Sequence, residues 1–249
     1  IDISKIPEHW KNVRMGFVAG CTPYIDRYST LSIILGERFL KIRIKEPERL
    51  AATKWAAKST YEKDKLKHYL NKRVVRFIAN LKLPENPQVP TEYIDRLASL
   101  VEAIVQIRKP ISKSQTTLGE KIYEYEDATE LGARLIQQLI RLGTLLSIVR
   151  SCKWNDGIYK TIVRVAFDTL TPERKRIVIY LYKQNKPVSE DAIRKDLGWG
   201  HQRVRHHLKD LTYIGIVKQI DNIEYILNKY IKTHMRKALS TFTTLTDVL

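Results

Sequence analysis

The stretch from Thr171 to Leu227 confines this sequence more than any other. "TPERKRIVIYLYKQN" reads as a helix with Thr171 at the N-cap, Pro172 at the first helical position and Ile177, Val178 and Leu181 on its buried side. "PVSEDAIRKDLG" reads as a short helix capped by Ser189, carrying Ile193 and Leu197 inward and closed by Gly198. The third, "HQRVRHHLKDLTYIGIVKQ", buries Val204, Leu208 and Leu211 and turns its polar positions elsewhere. Beyond a turn at Gly215, residues 216–220 and 223–227 form two strands about Asp221-Asn222.

Three short helices followed by a two-stranded hairpin, joined through "LTYIGIV", resemble a winged-helix domain over Thr171 to Leu227. The resemblance implies that the third helix enters the major groove of DNA and that the hairpin follows the backbone. Carried onto this sequence, the recognition-face candidates are Gln202, Arg203, Arg205, His206 and Lys209, with Lys218 near the wing. Arg and Gln suit bidentate contacts to bases, whereas Lys suits phosphate. A winged helix of this kind that packs on protein instead is the open alternative. His206 and His207 are adjacent and cannot both face one groove, so neither is read as a metal ligand, and no metal site is expected.

The charge agrees with a nucleic-acid partner. Across 249 residues, 44 Lys and Arg face 27 Asp and Glu, a net charge of +17, and neutralising phosphates is the sequence-independent use of such an excess. The excess is greatest between Lys41 and Arg76, where twelve Lys or Arg stand against four Asp or Glu. Cys21 and Cys152 are far apart and show no metal-ligand spacing, which fits a reducing compartment and a cytoplasmic protein. No apolar run has membrane-spanning length, and the start has no signal-peptide pattern, so no membrane partner is expected.

The remaining patterning predicts mostly helix. Met15 to Ala19 reads as a buried strand running into Gly20-Cys21-Thr22-Pro23, and Phe39 to Ile44 alternates as a second strand after a short helix. Glu48 to Lys58 and Tyr61 to Leu81 are helical by composition, and "LPENPQVP" is a linker. Thr91 to Arg108 is an amphipathic helix with Thr91 as N-cap and Ile94, Leu97, Ala98, Val101, Ile104 and Val105 inward. Arg108 to Lys121 has no period and reads as a mobile loop. A helix from about Thr129 to Arg150 puts Leu131, Leu135, Leu139, Leu142, Leu145, Leu146 and Val149 on one side, and "NDGIYKTIVRVAFDTL" continues as another. Trp55, Trp154 and Trp199 are expected to pack inside rather than to stack on bases.

In the first half, a strand ending in Thr22, then "STLSIILGERFLKIRI", then a helical lid resembles the latter half of an AAA+ ATPase core. "LGERFL" resembles the "SRFDL" element of the minichromosome-maintenance helicases, and "TELGARLIQQLIRLGTLLSIVRS" resembles the lid helix that begins with their sensor 2 arginine. Similar blocks occur in phage and plasmid replication ATPases. The resemblance implies sensor 1 at Thr22, an arginine finger acting in trans at Arg38, sensor 2 at Arg134, and ATP with magnesium as cofactors. A permanent positive charge in a fixed fork suits the developing charge of phosphoryl transfer. None of the ten glycines belongs to a GxxxxGK[ST] loop, however, and no apolar strand ends in an acidic pair. The chain alone is therefore expected to be inactive as an ATPase, and the absent Met at Ile1 fits a nucleotide-binding half that precedes it.

The expected fold is mainly α with a small β component: remnant strands of an ATPase core over 1–46, a helical lid or bundle over 47–170, and a winged-helix domain with a C-terminal helix over 171–249. The expected function is that of the DNA-binding C-terminal portion of a hexameric, ring-forming ATP-dependent DNA motor or helicase in replication or mobile-element maintenance. The alternatives are a non-enzymatic winged-helix replication initiator or transcription regulator with a helical dimerisation half, and an assembly protein whose winged helix binds protein.

Overall fold

A computed structural model describes residues 18–28, 39–44, 48–60, 62–82, 84, 88–115, 121–124, 132–221 and 223–242. The protein is mainly helical with a small antiparallel β component. The helices are α1 (Arg49–Ser59), α2 (Lys63–Ala79), α3 (Thr91–Arg108), α4 (Ala133–Val149), α5 (Asp156–Asp168), α6 (Pro172–Lys183), α7 (Glu190–Leu197), α8 (His201–Tyr213) and α9 (Lys229–Ala238). The strands are β1 (Ser112–Gln115), β2 (Lys121–Glu124), β3 (Val188–Ser189), β4 (Val217–Ile220) and β5 (Glu224–Leu227).

One hydrophobic core runs from Tyr93 to Leu239 and passes through the junction at Leu170 without a break. α3 lies against α4, α5 and α9, so it buries more than one stripe. That geometry revises its expected face: Tyr93, Leu100, Ala103 and Ile107 are buried, while Ile94 and Ala98 are exposed. Its N-cap is Pro90, with Thr91 as the first helical residue. α4 buries Leu135, Leu139 and Gly143, whereas Leu145 and Val149 point outward. Gly143 is required there, because a Cβ would fall within the Trp154 ring and 2.6 Å from Ile162 Cδ1. α5 starts from Asn155, whose side chain accepts the Ile158 N–H at 3.0 Å, and its face of Ile158, Ile162, Val163 and Phe167 is wholly buried.

The C-terminal elements keep the expected boundaries within a residue or two. Thr171 is the N-cap of α6 with Pro172 first in the helix; Ile177, Val178 and Leu181 are buried. Ser189 accepts from Ala192 N at 3.3 Å, and Gly198 closes α7 at φ 65°, a conformation costly for residues with a Cβ. β4 and β5 pair from Val217↔Leu227 to Ile220↔Glu224, and β5 also pairs with β3, so the sheet order is β3-β5-β4. β3 is too short for a sequence period to register. Asn228 fixes the return to α9, donating from Nδ2 to Gly215 O at 2.8 Å and accepting from Tyr230 N.

α9 then packs along α3 through Ile231, Met235 and Ala238. Behind it, the Arg96 guanidinium lies 3.9 Å from the Tyr159 ring centroid and Phe242 stacks on Tyr159. The Tyr159 hydroxyl donates to Ala238 O at 3.0 Å, and burial pushes its pKa up to about 12.

Several N-terminal expectations are corrected. Of the strand expected over Met15 to Ala19, residues 15–17 lie outside the described residues; residues 18–22 form no strand, and Val18 is 99% exposed. Phe39 to Ile44 is extended but enters no sheet among the described residues, with Phe39, Ile42 and Ile44 facing solvent. What holds this segment is Arg43. Its backbone N–H donates to Asp168 Oδ2 at 2.9 Å, its guanidinium grips Asp26 through two 2.8 Å bonds, and it also reaches the carbonyls of Asp168 and Leu170. Lys175 adds a 2.9 Å ion pair to the same Asp168. Within the segment read as a loop at 108–121, Ser112–Gln115 forms β1, which pairs antiparallel with β2 from Ser112↔Glu124 to Gln115↔Lys121. Four-residue strands with polar sequences such as "SKSQ" carry too few alternations to be seen.

Candidate nucleic-acid interface

α8 is positioned by its buried stripe of Val204, Leu208 and Leu211 against α6, α7 and β4. The same spacing that hides those three leaves Gln202, Arg203, Arg205, His206 and Lys209 all exposed, as the sequence predicted. Lys218 is exposed on β4, on the strand that follows the α8 turn at Gly215. The six candidates thus belong to one helix and the adjoining hairpin.

Their electrostatics are less simple than a bare basic face. Arg203 Nη2 meets Glu173 Oε1 at 2.6 Å, and its guanidinium sits 4.7 Å over the Trp199 ring. Arg176 approaches the same ring at 4.8 Å. Burial pushes the Glu173 carboxyl up, and the Arg203 hydrogen bond, its own backbone N–H and the charges of His207 and Arg203 more than reverse this, so its pKa lies below the ordinary value. Arg205 Nε and His201 Nε2 lie 3.5 and 3.0 Å from Glu190 Oε1, and His206 Nε2 lies 3.7 Å from Asp210 Oδ2. Burial lowers the pKa of His207, which faces inward beside Trp199.

Glu173, Glu190 and Trp199 therefore belong to the site, and sequence reasoning missed them. The two carboxylates occupy the first turns of α6 and α7, where acids favour the helix dipole, and that ordinary role conceals their reach to α8. Trp199 lies between two glycines in the α7–α8 turn, and its burial was read as packing alone.

Beside α8, Lys209, Thr212, Tyr213, Gln219 and Tyr225 line an open groove of about 290 Å³ between the helix and the hairpin. Gln219 Nε2 donates to the Tyr225 hydroxyl at 3.3 Å within the hairpin.

The phosphoryl-transfer candidates are placed otherwise. Thr22 is exposed at the head of a 3-10 turn, Pro23–Tyr28, where its carbonyl accepts Ile25 N at 3.2 Å. Arg134 is exposed in the first turn of α4, and Arg38 lies outside the described residues. The described residues hold no group of side chains suited to a metal ion. The sequence contains no GxxxxGK[ST] loop. No described helix is long and apolar enough to cross a membrane.

Comparison of the chain with protein-family models, curated proteins and solved structures gave no match in any of the three.

Proposed function

We propose that the protein binds duplex DNA through α8, with the β4–β5 hairpin beside it on the backbone. The observation that carries this reading is the joint exposure of Gln202, Arg205, His206 and Lys209 on one helix whose other side is fully buried. The element order α6-β3-α7-α8-β4-β5 with sheet order β3-β5-β4 supports a winged-helix assignment. Lys209 and Lys218 contact phosphate, and Gln202 and Arg205 are the side chains suited to base edges.

In the fuller form of this reading, the chain is the DNA-binding portion of a ring-forming, ATP-dependent motor that acts in replication or mobile-element maintenance. The order of Thr22, Arg38, Arg134 and the α8 unit along the chain supports it. The nucleotide in that assembly is held by a P-loop outside these residues.

Fluorescence anisotropy of a labelled duplex, titrated with the protein at graded salt, tests the DNA-binding reading. Arg205→Ala with Lys209→Ala should weaken duplex binding at least tenfold at moderate salt and flatten the salt dependence. Wild-type binding that is negligible under those conditions refutes it and favours a protein partner for α8. DNA-stimulated ATP hydrolysis by the assembly, abolished by Arg38→Ala, tests the motor.

A further inference from the structure

The most basic part of the sequence is not the α8 unit. α1 and α2 together carry nine Lys or Arg against one Asp, and neither helix has a buried residue. From their exposure and side-chain chemistry we propose that α1 and α2 form a second nucleic-acid surface, separate from α8, that binds a single strand.

Three observations support this arm. First, none of its nine cations is ion-paired among the described residues, in contrast to Arg203 and Arg205. Lys65, Lys72 and Arg76 recur on one face of α2, and Lys63 and Lys67 lie nearer the opposite one. Second, Trp55 and Tyr69 expose 66% and 54% of their surface, and Arg73 stands 5.1 Å over the Tyr69 ring. Leu66, Leu70, Val74 and Phe77 add an exposed apolar stripe at spacings of four, four and three. Third, Phe77 lines an open groove of about 550 Å³ at the C-terminal end of α2, together with Leu81, Val149, Lys82 and Lys153.

This combination selects the partner. A polyanion answers a nine-to-one excess of cations, and its flexible form can follow positive charge around several faces of a helix. A bilayer meets one face only, and a second copy would set the same excess against itself. Exposed ring faces separate the two forms of nucleic acid, because a duplex hides its base faces while a single strand offers them for stacking. The groove beside Phe77 has room for a splayed base, and Lys82 and Lys153 in its lining suit phosphates.

The test uses the whole chain and a labelled oligothymidylate of about twenty nucleotides, with a duplex of equal length in parallel. The charge variant, Lys65→Glu with Lys72→Glu and Arg76→Glu, should lose at least tenfold in single-strand affinity at 0.1 M salt and reduce the salt slope by about two. Trp55→Ala with Tyr69→Ala should lose about tenfold or more with its charge intact. Both variants should unfold at the wild-type midpoint, since no side chain of α1 or α2 is buried. Trp55 fluorescence should be quenched by the oligonucleotide and not by the duplex, with Trp55→Phe as the control. Unchanged single-strand affinity in either variant overturns the proposal, and so does an equal loss on both nucleic acids. It is equally overturned if the arm variants abolish a dimer in sedimentation, or binding to phosphatidylserine vesicles, while single-strand affinity persists. Loss of duplex binding in the α8 variant alone concerns the other surface and leaves this result to be read separately.

Discussion

Arg203 and Arg205 on α8 each face a carboxylate of their own chain, at 2.6 and 3.5 Å, whereas the nine cations of α1 and α2 meet none among the described residues. The two basic surfaces accordingly differ in kind. On α8, Glu173, Glu190 and Asp210 cut the local charge and hold the long side chains in set directions, which favours geometric recognition over raw attraction. On the arm, unpaired lysines on a solvated scaffold favour strong, salt-sensitive and sequence-tolerant attraction. On the proposed reading, a nucleic acid would displace internal carboxylates at the first surface and, among the described residues, none at the second.

Stability measurements separate the regions most sharply. Phe167→Ala in the core should cost about 3–5 kcal/mol in urea denaturation, while Leu70→Ala on α2 should stay within about 0.5 kcal/mol. A large loss at Leu70 would mean that the arm is not solvated. Asp168→Ala should cost about 3 kcal/mol, because it leaves the backbone N–H of Arg43 and the ammonium of Lys175 without their buried acceptor. Limited proteolysis of that variant should open the chain between 18 and 44 first.

Binding measurements sharpen the electrostatic contrast. Glu190→Gln should raise duplex affinity severalfold at low salt, about 1 kcal/mol, by releasing Arg205 and His201. No single substitution in α1 or α2 removes an internal competitor in this way. Glu173→Gln should cost about 0.5–1 kcal/mol of stability, given the half-exposed Arg203 partner. Because the folded pKa of Glu173 is depressed, its contribution is present above the ordinary value of 4.5 and lost as pH falls through the lower folded one. The difference between wild type and Glu173→Gln should therefore be full near pH 7 and vanish in acid, as followed by thermal unfolding across pH.

The helices and hairpin from Pro172 to Leu227 were legible because they have local chemical signals: Pro172 inside a helix start, Ser189 as a cap, Gly198 at positive φ, and apolar runs either side of the Asp221-Asn222 turn. The exposed face of α8 followed from the buried one, so the exposure of Gln202, Arg203, Arg205, His206 and Lys209 could be read ahead. Pairings across elements were not legible. Glu173 and Glu190 look like ordinary first-turn acids until α8 is laid beside them, and Arg43 looks like one position of an alternating strand until Asp26 and Asp168 surround it. Hydropathy alone also misjudged exposure: Trp55 and the leucines of α2 have core-like chemistry and face solvent, because the pattern states what a side chain prefers and not whether a partner is present.

The packing of α9 along α3 also governs when this protein can fold. Tyr230 donates to Glu102 across 128 positions of sequence, and Tyr159 reaches Ala238, so the face of α3 that receives α9 has no cover until α9 has been synthesised. On the ribosome, the central helices would wait with that face exposed until α9 emerges and packs against it.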